Sequence, residues 1–201
     1  MGYSADDIVV LSGLEPVRRR PEMYIGPVDS DETMSQLVEQ VLCSSLDEAF
    51  AGRCSRISIE LHVDGAITVE DDSRGMSLRP AADGVPIAQH LMTGLHACRV
   101  ARQHADVGKR FCGAGIAVVN ALSEFCTLEV RQDGRTWTQQ YREGKALTPF
   151  ADIGPASADG TRIVFKPDTR ILPRRVNPLD LQRRIDEIAR EVPQTRIGLL
   201  G

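Results

Sequence analysis

Between residues 57 and 71 the chain alternates apolar and polar residues on both sides of a two-residue turn. Ile57, Ile59, Leu61 and Val63 share one phase, Asp64-Gly65 supplies the turn, and Ile67 and Val69 resume the phase on the return. A period of two marks a strand with one buried face, and Asp-Gly between two such runs signals a hairpin. No other feature constrains the fold as strongly, because it demands an antiparallel sheet with apolar material laid over one side. Asp71 continues the inward phase. A carboxylate there needs donors from the protein, from water or from a ligand. Phase alone leaves two readings open: a ligand anchor, or a structural acid paired with a cation such as Arg74 or turned outward at a frayed strand end.

The remaining elements fit around that hairpin. Met34, Leu37, Val38, Val41, Leu42, Leu46, Ala49 and Phe50 lie on one helical face, and Gly52 closes the helix. Residues 86–97 and 114–122 also predict helices. A second hairpin runs through Cys126, Leu128 and Val130 to Asp133-Gly134 and back through Trp137 and Tyr141. Thr161, Ile163 and Phe165 mark another strand. Asn177 caps a last helix that has Pro178 in its first turn and Leu181, Ile185 and Ile188 on its apolar stripe. Residues 1–30 read as mostly irregular, with Arg18-Arg19-Arg20-Pro21 as a solvated helix end stopped by proline. The expected class is α+β: a two-layer sandwich in which helices back a mixed, mostly antiparallel sheet, not a doubly wound fold. Residues 1–30 form an expected N-terminal arm and residues 31–201 the domain proper.

Composition removes several functions. With 24 Lys+Arg against 28 Asp+Glu over 201 residues, the chain lacks the basic excess that nonspecific nucleic-acid binding requires. No apolar run approaches a membrane span, and the N-terminus has neither the basic region nor the apolar core of a secretory signal. Cys43, Cys54, Cys98, Cys112 and Cys126 are odd in number and contain no CxxC. A disulfide framework or zinc knuckle is not expected, no metal site is expected, and the composition suits a reducing cytoplasm.

A few residues could carry chemistry. Thr161 shares the inward phase of its strand, so its hydroxyl could reach an inward carboxylate or a shared ligand. Gln40, Ser44 and Asp47 lie opposite the apolar stripe of their helix, either lining a cleft or facing solvent. Gly113-Ala114-Gly115 leads into a helix just after Lys109 and Arg110, a place where backbone N–H groups favour anions. It matches neither a P-loop nor a dinucleotide fingerprint. Cys43, Cys98 and Cys112 become candidate nucleophiles only if the fold gathers them.

Taken in order, VLSGLEPVRRRPEMYIG (10–26), LDEAFAG (46–52), EDDSRGM (70–76), LMTGLHA (91–97), CGAGIAVVNALS (112–123) and DGTRIVF (159–165) resemble the N-terminal ATPase domain of the DNA gyrase B protein and of its topoisomerase IV counterpart. These belong to the GHKL superfamily, with its Bergerat fold. The resemblance implies an adenine-binding aspartate at Asp71 with a helper threonine at Thr161, and Gly75 and Met76 in the motif that follows. It implies a salt-bridge pair, Glu48 and Arg74, at the pocket mouth, and a phosphate-binding lid and helix start over Lys109, Arg110, Gly113 and Gly115. Tyr3 and Ile8 match an arm that embraces a second protomer, so a homodimer is implied. ATP or ADP is the implied ligand, with no direct contact to nucleic acid. The transducer and DNA-handling regions of the family lie beyond the matched segment and are expected to be absent.

This sequence departs from that pattern where hydrolysis is done. The family's general base falls on Gln40, and a neutral amide cannot take a proton at neutral pH. Glu39 is adjacent but about 100° round the helix. The family's magnesium-binding asparagine falls on Ser44, a poorer ligand for a hard cation. Ser73 stands in place of a glycine, and lid glycines and a histidine become Lys109, Arg110 and Cys112. Three functions remain open at this level. The first is a pseudo-ATPase that binds a nucleotide or another small planar ligand in an Asp71-anchored pocket. The second is a repurposed enzyme of specialised metabolism using Cys43, Ser44 and Cys112. The third is a residual ATPase with Glu39 as base.

Overall fold

A computed structural model describes residues 11–95, 97 and 113–200. The first helices are short: α1 (Glu15–Arg19) and α2 (Glu22–Ile25). A long helix, α3 (Asp31–Phe50), follows. The expected hairpin is β1 (Arg56–Leu61) and β2 (Ile67–Asp71). After it come α4 (Ile87–Thr93) and α5 (Ile116–Ala121). Next are β3 (Ser123–Gln132), β4 (Arg135–Arg142), β5 (Lys145–Ala146), β6 (Ala151–Pro155) and β7 (Gly160–Pro167). The chain continues through α6 (Pro178–Glu191) to β8 (Arg196–Leu200).

The eight strands form one sheet in the order β5-β4-β3-β7-β2-β1-β8, with β6 pairing β4. Every pair is antiparallel except β1 with β8. This is the α+β sandwich that the hairpins predict. The inward row Ile59–Val69–Ile163–Leu128 crosses four strands in register, and all four residues are buried. One step along, Ile57 faces Asp71 and Val130 faces Thr161, while Glu70 faces Arg162. Asp71 and Thr161 therefore sit side by side on the inner surface.

α3 carries both the apolar stripe and the polar residues opposite it. Ser30 caps it by accepting the Glu32 N–H at 3.2 Å, and acidic Asp31 and Glu32 suit the positive end of the helix. Leu37, Val38, Val41, Leu42 and Leu46 are buried against the sheet and α5. Asn177 caps α6 through the Leu179 N–H, with Pro178 at the first position.

Several expectations change. Val63 is 95% exposed, because β1 ends at Leu61 and the chain already turns at His62, whose N–H donates to Ala66 O. The helix expected over 86–97 is α4, which stops at Thr93 before Gly94. Residues 11–30 contain two helices, and Leu14 and Val17 are buried in the core. Arg18 does not end in solvent. Its guanidinium donates to Ala121 O and to the Asp168 carboxylate, both at 2.7 Å. β8 has no signal in the sequence, because RIGLL has no alternation and gains its order from a parallel neighbour. The expected arm contacts through Tyr3 and Ile8 lie outside the described residues.

Candidate functional site

A cleft of about 600 Å³ opens where α3 passes the ends of β2 and β7. α3 lines it with Ser44, Asp47 and Glu48, the segment after β2 with Ser73, Arg74, Gly75 and Met76, and β7 with Thr161. All of these except Ser73 are candidates from the sequence, and Ser73 is one of its departures from the family pattern. Ser44 and Asp47 of the polar stripe of α3 thus face the cleft, and Gln40 does not line it.

Asp71 stands behind this wall, 4% exposed. Its Oδ1 accepts the Ser73 N–H at 3.0 Å, the Ser73 hydroxyl at 2.6 Å and the Thr161 N–H at 3.1 Å. Its Oδ2 accepts the Ser45 hydroxyl at 2.6 Å. A buried carboxylate is tolerable on such terms, since charge-assisted bonds from fixed donors replace water. The partner suggested by phase, Arg74, is not involved. Thr161 reaches Asp71 with its backbone N–H, and its hydroxyl instead accepts the Met76 N–H at 3.0 Å. Two glycines make the approach possible. A Cβ on Gly160 would come within 2.3 Å of Asp71 O, and one on Gly75, at φ +80°, within 2.9 Å of Arg131 O.

The cleft mouth holds a three-residue ion cluster. Arg74 donates to Glu48 from Nε at 2.9 Å and Nη2 at 3.2 Å, and Arg53 from Nε at 2.8 Å and Nη2 at 3.0 Å. Burial pushes the Glu48 carboxyl upward, but the Arg53 and Arg74 bonds outweigh it and hold it below its ordinary range. Arg53 escapes a sequence reading because it follows the helix and shares no periodicity with it.

At the other end of the helix face, Gln40 turns towards the start of α5. Its Oε1 accepts the N–H groups of Gly113 and Gly115, both at 2.9 Å. Those are the donors expected to favour an anion. Glu39 points away from the cleft into a bidentate ion pair with Arg184 of α6, with Nη2 to Oε2 at 3.0 Å and a second bond from Nε to Oε1. The bonds to Glu39 raise the Arg184 pKa. Glu39 is therefore not the free base that a residual ATPase needs. Lys109, Arg110 and Cys112 lie outside the described residues.

Ser44 Oγ is buried without a hydrogen-bond partner among the described residues. One neutral hydroxyl is a weak donor for a divalent cation. Among the described residues no three His, Cys, Asp or Glu side chains converge to hold a metal.

Cys43 is disulfide-bonded, against the expectation of free thiols. An odd count without CxxC argues against frameworks and knuckles, but is silent on a pair that the fold brings together. Cys43 is thus not a free nucleophile. Cys54 and Cys126 are free and buried, and burial pushes both thiols up to about 12. Among the described residues no helix is long and apolar enough to cross a membrane.

No protein-family model matches the chain. Curated proteins do. The DNA gyrase B protein of Thermotoga maritima is 40% identical over 199 residues, covering 97% of this chain and 31% of that protein. The DNA gyrase B protein of Clostridium acetobutylicum is 40% identical over 195 residues, 93% of this chain and 30% of that protein. The DNA topoisomerase 4 B protein of Caulobacter vibrioides is 40% identical over 178 residues, 87% of this chain and 26% of that protein. The chain spans under a third of the length of these relatives.

Proposed function

The chain is homologous, along nearly all of its own length, to the B proteins of DNA gyrase and topoisomerase IV and carries their GHKL-type α+β sandwich. From that premise we propose that it is a nucleotide-cleft domain that binds a nucleotide or a related small planar ligand without hydrolysing it. One observation carries the proposal. Gln40 holds the two backbone N–H groups of Gly113 and Gly115 with its amide oxygen. An amide at that point cannot accept a proton from an attacking water. The same contact engages two donors that would otherwise face a phosphate.

The surrounding residues support this reading. Glu39, the nearest carboxylate in sequence, is committed to Arg184. Asp47 and Glu48 line the cleft but lie seven and eight residues further along α3, about 10–12 Å along its axis from Gln40. The described part of the cleft therefore brings no carboxylate base to the Gln40 end. Loss of the base and of a magnesium-type ligand at Ser44 removes proton transfer and charge neutralisation together, the two contributions that phosphate cleavage most needs.

The test is phosphate release from ATP with magnesium in excess. The expected result is no turnover above the buffer rate, alongside a nucleotide-dependent rise in the melting temperature. Steady turnover abolished by Gln40→Ala would refute the proposal. The repurposed-enzyme reading loses support from the disulfide at Cys43.

A further inference from the structure

We infer that Ser45 and Ser73 set the ligand specificity of this cleft by engaging the Asp71 carboxylate in competition with a ligand, an inference that rests on the nucleotide-cleft reading above. A carboxylate offers about four lone-pair sites. At Asp71 four donors already converge: three on Oδ1, and the Ser45 hydroxyl at 2.6 Å on Oδ2. Two of the four are side-chain hydroxyls, and both lie at the short end of the hydrogen-bond range. Oδ1 thus takes more donors than its two lone pairs while Oδ2 keeps one site, and with the residue 4% exposed and off the cleft lining a ligand N–H has to compete with the serine hydroxyls for it.

Ser73, which does stand on the cleft wall, is itself buried and already engaged as donor and acceptor. Its hydroxyl donates to Asp71 and accepts the Gly75 N–H at 3.2 Å. Two neutral hydroxyls stand near it, and they are as buried as Asp71 itself. Thr161 Oγ1 accepts the Met76 N–H, and its own proton has no acceptor among the described residues. Ser44 Oγ is buried and unpartnered on the same cleft. A hydroxyl can donate or accept, whereas a carboxylate interacts favourably only with donors. With Asp71 engaged by Ser45 and Ser73, the cleft takes a planar heteroaromatic ring whether its edge carries an amino or an oxo group. A selective amino-edge reader would need Asp71 uncovered.

Calorimetry with ADP and inosine diphosphate tests this, because the two differ only in the amino or oxo edge of the ring. The intact chain is expected to bind them within about threefold of each other. Ser45→Ala with Ser73→Gly is expected to raise ADP affinity at least about tenfold, the span of one charge-assisted bond regained, and inosine diphosphate affinity by less, because its C6 oxo group repels the freed carboxylate beside the one N–H that N1 offers. Should that double variant fail to melt cooperatively, the single variants carry the comparison, each with a smaller gain for ADP. An intact chain that prefers ADP by about tenfold or more would overturn the inference, as would an affinity ratio that none of these variants moves. If neither nucleotide binds to any of these proteins, the cleft reading falls and this inference with it. Phosphate release by the intact chain would refute only the loss of hydrolysis and leave the edge comparison standing.

Discussion

Asp71 and Gln40 are both buried polar side chains that the chain fills with its own groups, and substitutions at the two should behave differently. Asp71 collects four donors and no cation. Asparagine there keeps the shape, loses the charge and turns an NH2 group towards some of those donors. Asp71→Asn is expected to cost about 2–4 kcal/mol in urea unfolding, because bonds to a charged group are worth more and a mismatched donor stays unpaired. A loss under about 1 kcal/mol would mean that the hub carries little energy. Gln40 is neutral, and Gln40→Ala strips two N–H groups of their acceptor, for about 1–3 kcal/mol by the same measurement. Cys54 and Cys126 should resist alkylation in the folded chain near neutral pH, since burial holds both thiols protonated. Rapid native labelling of either would contradict that. The sequence exposes Asp71 and Thr161 because strand phase has a period of two and a polar residue in phase stands out. Ser45 is less visible. It lies four residues after Val41 and seven after Val38, inside the apolar stripe. A small hydroxyl there looks like packing until its acceptor on another element is known.

The short N-terminal helix shows how an element is held by charge as well as by apolar contact. α1 buries only Val17, yet Arg18 ties it to Asp168 after β7 and to Ala121 at the end of α5. Arg170 adds further bonds to the same carboxylate and reaches Glu143. The Arg170 bonds come first among the causes that depress the Asp168 pKa; burial opposes them, and the Arg18 bond adds to the lowering. A carboxyl whose folded pKa lies below its unfolded value contributes stability above the unfolded value, near 3.9. That contribution is lost as pH falls from there through the folded value. The melting temperature should therefore fall steeply below about pH 4. Asp168→Asn should lower it at neutral pH and flatten the acid limb, and parallel acid limbs in the two proteins would contradict the assignment. None of this is legible in Arg18-Arg19-Arg20-Pro21, because a basic run shows charge but not the distant carboxylate that meets it. Long helices and hairpins are legible for the opposite reason: their periodicities are local.

At the scale of the whole molecule, one continuous sheet joins the cleft to the edge of the fold. Asp71 ends β2, β2 pairs with β1, and β1 pairs with β8 in parallel through Ile57–Ile197 and Ile59–Leu199. Residues at the start of β8 and just before it reinforce the join: the Thr195 hydroxyl donates to Cys54 O at 2.8 Å and the Arg196 N–H donates to Ser55 O at 2.9 Å. Parallel pairing depends on the whole crossover through α6, so no short stretch of sequence could announce it. It has a mechanical consequence. Without residues 196–200, β1 becomes an edge strand with its outer N–H and C=O groups unpaired, and Ile57, directly opposite Asp71, loses a neighbour. The four-donor hub needs β2, β7 and α3 held in register to fractions of an ångström, so disorder entering from β1 should reach it. Deleting residues 196–200 is expected to lower the melting temperature by about 10 °C, the effect of roughly 2–3 kcal/mol on a domain of this size. Nucleotide binding should weaken with it. If the shortened chain melts and binds like the intact one, the cleft is held by β2, β7, β3 and α3 alone, and β8 serves only to cover an edge.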